Sequence, residues 1–194
     1  MSLPLLRRRT VAFFAAASLA LPLLAATPEK PPRVRLSTSQ GDIVVELNSA
    51  KAPKTVENFL QYVADQHYDG TVFHRVIDNF MIQGGGFTAD LQQKPTRAPV
   101  PLEASNGLKN DRGTIAMART SNPNSATSQF FINVVNNDNL NAPKPDGYGY
   151  TVFGRVVSGI EVVDKIRAVP TGNRGMFQNV PQTPITILKA TLEK

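Results

Sequence analysis

Between Val34 and Leu192 the chain carries eight short apolar or β-branched runs and only two helical patterns, so most of its core has to come from strands of four to eight residues. The runs are Val34–Thr38, Asp42–Leu47, Thr71–Ile77, Phe80–Gln83, Thr114–Ala118, Gln129–Val134, Thr151–Val157 and Ile185–Leu192. The first two alternate apolar and polar across a turn containing Gly41, the pattern of a hairpin. One helix starts at Ala52-Pro53-Lys54 and repeats Val56, Phe59, Leu60 and Val63 at spacings of three and four. The other follows Gly159, carries Ile160, Val162, Val163 and Ile166, and is closed by Pro170. Eight short strands in one domain are best satisfied by closing the sheet, which removes exposed edges. The expectation is a mainly β fold: a closed eight-stranded antiparallel barrel capped by two α-helices. A barrel of this size is filled by its own side chains, which puts an active site on the outer surface. Long Pro-, Gly- and Asn-rich connections at 84–112 and 135–150 would frame it.

Before this domain comes a segment of different character. Arg7, Arg8 and Arg9 precede an apolar run from Val11 to Leu24 that ends in Ala25 and Ala26. This is the anatomy of a secretory signal peptide, and Pro22 and the short apolar run argue against a spanning helix. An uncleaved anchor and a twin-arginine address are the other readings of the same residues. The domain plan is therefore a signal peptide at 1–26, an extended Pro-rich linker at 27–32 and one folded domain at 33–194, located in the periplasm and without stable membrane association. The chain has 21 Lys and Arg against 15 Asp and Glu, and its net charge is +6. Three of the cations and none of the acids lie in the leader, which leaves the mature part at +3. Its cations are scattered, so nucleic acid is not an expected partner.

Composition removes several chemistries. With no Cys there is no thiol catalysis, disulfide framework or Cys-bound metal, and His67 and His74 alone cannot build a multi-histidine metal site. No metal or organic cofactor is expected. Gly84-Gly85-Gly86 lacks the Lys-Ser/Thr of a phosphate loop and reads as a strand-ending turn. His67 reads as a loop residue and His74 as a structural histidine in a strand. The run Phe73-His74-Arg75-Val76-Ile77-Asp78-Asn79-Phe80-Met81-Ile82-Gln83 places a fixed cation and an amide beside large apolar groups. Taken alone, Arg75 is either a functional cation or an arginine lying over a core strand.

Three further segments follow that run in order: Gly113-Thr114-Ile115-Ala116-Met117-Ala118-Arg119, then Ser128-Gln129-Phe130-Phe131-Ile132-Asn133, then Val152-Phe153-Gly154-Arg155-Val156-Val157. Together, over residues 33–192, they resemble the cyclophilins, the cyclosporin-binding class of peptidyl-prolyl cis-trans isomerases, and the bacterial secreted branch in particular. The resemblance implies Arg75 as the catalytic cation. It implies a substrate groove lined by His74, Phe80, Met81, Gln83, Ala118, Arg119, Gln129, Phe131, Leu140 and Tyr150. Tyr150 stands where many relatives carry His. Asn139 stands where cyclosporin-sensitive members carry Trp, which implies weak cyclosporin binding.

These residue types suit prolyl isomerisation. The X-Pro bond turns over a barrier of ~18–20 kcal/mol because rotation breaks amide resonance, and no covalent bond has to be made. The twisted amide regains a nitrogen lone pair, to which an always-charged guanidinium can donate. The expected partners are Pro-containing unfolded or partly folded polypeptides, handled by a monomer that assists the folding of exported proteins. The alternative is a Pro-segment-binding chaperone module with little turnover; the presence of Arg75 beside the apolar groups favours the enzyme.

Overall fold

The computed structural model describes residues 30–193, so the leader at 1–26 and the beginning of the linker lie outside the described residues. Strands β1 (Arg33–Thr38) and β2 (Gly41–Leu47) form the expected hairpin, with Thr38 facing Gly41 across the turn. The Thr38 hydroxyl donates to the Gly41 carbonyl (2.6 Å) and accepts from the Gln40 amide (3.1 Å). Gly41 holds φ at 126°, a conformation that side chains disfavour.

Helix α1 (Pro53–Ala64) starts on a proline, and Ala52 before it offers no capping side chain. The cap is supplied from far along the chain. The Glu103 carboxylate accepts from the amides of Lys54 (3.2 Å) and Thr55 (2.9 Å) and from the Thr55 hydroxyl (2.6 Å). A carboxylate in this place satisfies orphan amides and meets the positive end of the helix, a contribution of about 1 kcal/mol. It also ties the 84–112 connection to the helix. Helix α2 (Ile160–Arg167) follows Gly159, whose φ is 84°.

The remaining strands are β3 (Thr71–Val72), β4 (Arg75–Ile77), β5 (Met81–Gly84), β6 (Thr114–Met117), β7 (Phe130–Asn133), β8 (Val152–Ser158), β9 (Thr171–Arg174), β10 (Phe177–Pro181) and β11 (Thr186–Glu193). Of the eleven strands, nine make one antiparallel sheet in the order β3-β11-β1-β2-β8-β6-β7-β5-β4, and β9 and β10 form a separate hairpin.

The fold is thus mainly β with two helices, but the sheet is not the closed eight-stranded barrel expected from the sequence. It is a curled, nine-stranded sheet whose ladder stays open. The run expected as a single strand, Thr71–Ile77, is split into β3 and β4, and these lie at opposite edges of the sheet. Thr71, Val72, Phe73 and His74 are all buried, so the run has no alternation to keep it in one ladder. The amides of Val72 and Phe73 donate instead to the carbonyls of Phe87 and Ile185, each at 2.9 Å. The two edges are therefore joined by the chain itself, through Phe73 and His74. The β9–β10 hairpin was not expected either, because its half-exposed, Gly- and Asn-containing strands lack an alternating pattern; Phe177 anchors it edge-on against Phe87, with ring centroids 5.2 Å apart.

The concave side of the sheet and α1 enclose the main core. Phe59 lies within an aromatic group, with ring centroids 5.0 Å from Tyr68, 5.2 Å from Phe153 and 5.7 Å from Phe130. Tyr68 is fully buried and donates its hydroxyl to the Ser128 carbonyl at 3.0 Å, so its polar end is satisfied. Burial pushes its pKa up, which keeps the phenol neutral.

Candidate active site

Side-chain alternation sorts the residues of four neighbouring strands onto two faces. Val76 of β4, Ile82 of β5, Ile132 of β7 and Ile115 of β6 enter the main core. On the opposite face, register places Arg75 beside Gln83, Gln83 beside Phe131, and Phe131 beside Ala116 in a row across the sheet. One step along, Ile77 faces Met81 and Met81 faces Asn133.

This outer face carries its own apolar cluster. Met81, Ala116, Phe131, Leu140 and Val152 are buried in it, with Ile77, Phe80, Leu108, Ala118 and Tyr150 packed around them. A sheet with apolar residues on both faces needs cover on both; here the loops at 135–150 supply it. Leu140 ends a single 3-10 turn, Asp138–Leu140, while Asn139 beside it stays exposed. The Tyr150 amide donates to the Leu140 carbonyl (3.0 Å), and the Tyr150 ring meets the Phe131 ring edge-on at 5.8 Å.

At the other end of the row the groups are polar. Arg75 is half-buried and its Nη1 reaches the Gln83 Oε1 at 3.4 Å; Gln83 Nε2 donates to Gln129 Oε1 at 3.0 Å. This chain of amides holds the guanidinium at the rim of the apolar cluster. The glycine run explains how Gln129 gets there. A Cβ on Gly86 would lie 2.5 Å from Gln129 Cγ, and one on Gly85, where φ is 84°, would lie 2.9 Å from the rings of Phe130 and Tyr68. The run Gly84-Gly85-Gly86 is thus a turn at the end of β5 over which core and site side chains close.

Two of the residues expected to line the groove are placed differently from the rest. The Arg119 side chain is only 2% exposed and turns into the 146–150 loop. It donates from Nε (3.0 Å) and Nη2 (2.8 Å) to the Gly149 carbonyl and from Nη2 to Asp146 (2.8 Å), and its guanidinium lies 4.4 Å from the Tyr150 ring centroid. It clamps Tyr150. His74 is 5% exposed and packs on Phe87, with ring centroids 4.6 Å apart. Burial, with a smaller push from the Arg75 charge, lowers its pKa to about 4, so the imidazole is neutral and structural.

Three residues not singled out in the sequence stand behind the cluster: Asn110, Asn133 and Asn137, all buried. Asn137 Nδ2 donates to the Phe80 carbonyl (2.8 Å) and to Asn133 Oδ1 (2.7 Å). Asn133 Nδ2 donates to Asn110 Oδ1 (3.2 Å) and Thr114 Oγ1 (2.9 Å). Asn110 Nδ2 donates to the Leu140 carbonyl (3.2 Å). The one sequence signal was Asn133, an amide within a strand of large apolar residues.

A concavity of about 650 Å³ lies along Lys30, Glu46, Asn48, Leu60, Lys109 and Arg155; it borders the outer-face cluster at Val152 and Leu108 but is lined by none of the residues expected for the groove. Its Glu46 and Arg155 are paired with each other at 3.2 Å.

The family model described as "Cyclophilin type peptidyl-prolyl cis-trans isomerase/CLD" matches residues 33–192. Peptidyl-prolyl cis-trans isomerase cyp18 of Streptomyces antibioticus is 60% identical over 161 residues, covering 82% of this chain and 97% of the relative. Peptidyl-prolyl cis-trans isomerase B of Escherichia coli (strain K12) is 53% identical over 163 residues, covering 83% and 99%. Among solved structures, a cyclophilin type peptidyl-prolyl cis-trans isomerase of Cryptosporidium parvum, crystallised in the presence of the dipeptide Ala-Pro, superposes with a TM-score of 0.69 at 30% identity and covers 84% of this chain and 99% of its own.

The neutral His74 makes stability depend on pH. Its folded pKa lies below the ordinary 6.5, so the unfolded state binds the proton more readily; the contribution is present above pH 6.5 and is lost as pH falls toward about 4. His67, lowered mainly by burial, acts in the same direction. Chemical denaturation between pH 7 and pH 4 should show falling stability, with a shallower fall in His74→Gln. An identical slope in the two proteins would show that His74 does not titrate in this way.

Proposed function

The chain belongs to the cyclophilin-type peptidyl-prolyl cis-trans isomerases, and from that membership we propose which of its residues perform the isomerisation and where in the cell they do so. The activity is rotation about X-Pro peptide bonds. The observation that carries the site reading is the row Arg75, Gln83, Phe131 and Ala116 on the outer face, a cation beside a desolvated apolar cluster. On this reading Phe80, Met81, Phe131 and Leu140 receive the proline ring, as the Ala-Pro dipeptide named with the Cryptosporidium parvum structure suggests for the ligand class.

The proline-side pocket lowers the polarity around the amide, where the planar, charge-separated resonance form is less favoured. Arg75 then donates to the prolyl nitrogen as it becomes pyramidal, an interaction available only in the twisted state. One of its N–H groups is engaged with Gln83, which fixes the direction of the others. Gln83, Gln129, Ala118 and the backbone of Arg119 hold the substrate chain, so that one side of the bond turns against a fixed other side. His74 supports the strand that carries Arg75. Tyr150, clamped by Arg119, closes the far wall.

We also infer that the chain is exported and works as a periplasmic monomer on Pro-containing, incompletely folded clients. The support is the Arg7–Arg9 cluster followed by the Val11–Leu24 run; no helix among the described residues is long and apolar enough to cross a membrane.

Three outcomes check this reading. Arg75→Ala should keep the circular dichroism of the parent and lose about 100- to 1000-fold in kcat/KM, the ~2.7–4 kcal/mol of a donor aimed at transition-state charge. Arg75→Lys should recover little, because an ammonium does not reproduce the planar fork; near-normal turnover in the alanine variant would remove Arg75 from the mechanism. Cyclosporin should inhibit poorly, since Asn139 in place of an indole forfeits about 100 Å² of apolar contact, ~2.5 kcal/mol or nearly 100-fold in affinity. Asn139→Trp should gain sensitivity, and tight inhibition of the parent enzyme would contradict the assignment of that edge. Finally, cell fractionation should recover a shortened, monomeric chain from the periplasm, and a full-length cytoplasmic form would exclude export.

A further inference from the structure

None of the three buried asparagines has so far been given a part in catalysis. We propose that Asn133, acting through Asn110 and Asn137, is a positioning residue that sets the width of the proline pocket. The proposal rests on reading the outer-face cluster as that pocket.

Asn133 is the hub. It stands two residues after Phe131 on β7, so it shares the outer face with Phe131, and it sits opposite Met81. Its Oδ1 accepts from Asn137, whose Nδ2 also holds the carbonyl of Phe80; its Nδ2 donates to Asn110, whose own Nδ2 holds the carbonyl of Leu140. Asn110 also accepts, at its backbone carbonyl, the Asn137 amide (2.8 Å), which closes the network on itself. Phe80, Leu140 and Phe131 come from three separate segments, a turn, a 3-10 turn and a strand. Across the sheet and its loops, the amides are what these three walls have in common.

The chemistry of the network needs an amide at its centre. The Thr114 hydroxyl already donates to the Asp111 carbonyl (2.7 Å), so Thr114 Oγ1 can only accept from Asn133. Asn110 Oδ1 is likewise an acceptor. A group at 133 must therefore donate on one side and accept on the other, which an amide does and a carboxylate does not. Asn133 is 0% exposed, so an unmatched group there has no water to turn to. The titratable side chain that reaches the network is Asp138, which is exposed and touches it only through Asn141.

Asn133→Asp turns this requirement into a measurement. As a carboxylate it sets an oxygen against two acceptors; as a neutral acid, favoured by burial, it regains a donor. In the full chain, exchange on a short Ala-Pro peptide should show KM raised about 10-fold at pH 8 with kcat kept within about twofold, the pocket gripping the ring less well in every state of the bond. At pH 5 the KM should return toward that of the parent enzyme, whose own KM is the reference at both pH values. Asn137→Ala should raise KM at both pH values alike and carries the same test if Asn133→Asp does not fold at pH 8. Phe131→Ala is measured alongside. A raised KM for Phe131→Ala with a parental KM in both asparagine variants would overturn the positioning role while leaving the pocket in place. So would a loss in Asn133→Asp that falls on kcat alone or does not respond to pH. A parental KM for Phe131→Ala would overturn the pocket and the proposal together.

Discussion

The alternation of side chains along β7, with Phe130 and Ile132 turned into the aromatic core and Phe131 and Asn133 turned out to a second cluster, ties the site to the packing of the core. All four residues of this strand are buried. A side chain on its outer face can therefore move only if the inner face also moves, and close-packed interiors resist that. Phe131 is held by Phe130 through the backbone, and Arg75 and Gln83 inherit that rigidity across the ladder. The outer face thereby gains a stiff floor.

The walls are built by a different principle. They come from loops, and loops have no ladder to align them. Buried amides do the aligning here, because an amide can donate and accept at once and so can bridge a carbonyl to another amide. Arg119 works likewise at the far wall, satisfying the Gly149 carbonyl while its flat cation covers the Tyr150 ring. The result is an apolar cluster with hydrogen-bonded polar groups one layer behind it.

Both helices and most of the ladder were legible in the sequence because their apolar residues repeat at 3.6 or 2. The groove residues were named through resemblance, and alternation explains why Arg75, Gln83 and Phe131 among them share a face. Four features were not legible. The break at Phe73-His74 depends on which distant carbonyls, those of Phe87 and Ile185, meet the amides. The β9–β10 hairpin is half-exposed and carries Gly172, Asn173 and Arg174, residues that look like loop. Asn110 and Asn137 lie in Asn-rich connections where polarity signals solvent, yet both are buried, because their partners are backbone carbonyls brought from other segments. The same holds for the cap of α1: nothing near Ala52 points to Glu103.

The seam in the sheet also bears on how the chain folds. β11 pairs with β1 along its length, Arg33 opposite Glu193, and with β3 at its start, so a strand some 150 residues away along the chain joins β1 to the edge next to Phe73. Without β11 in place, β1 and β3 have no common neighbour and the sheet is broken between them. Contacts of such long sequence separation make this closing step slow relative to forming the β1–β2 hairpin.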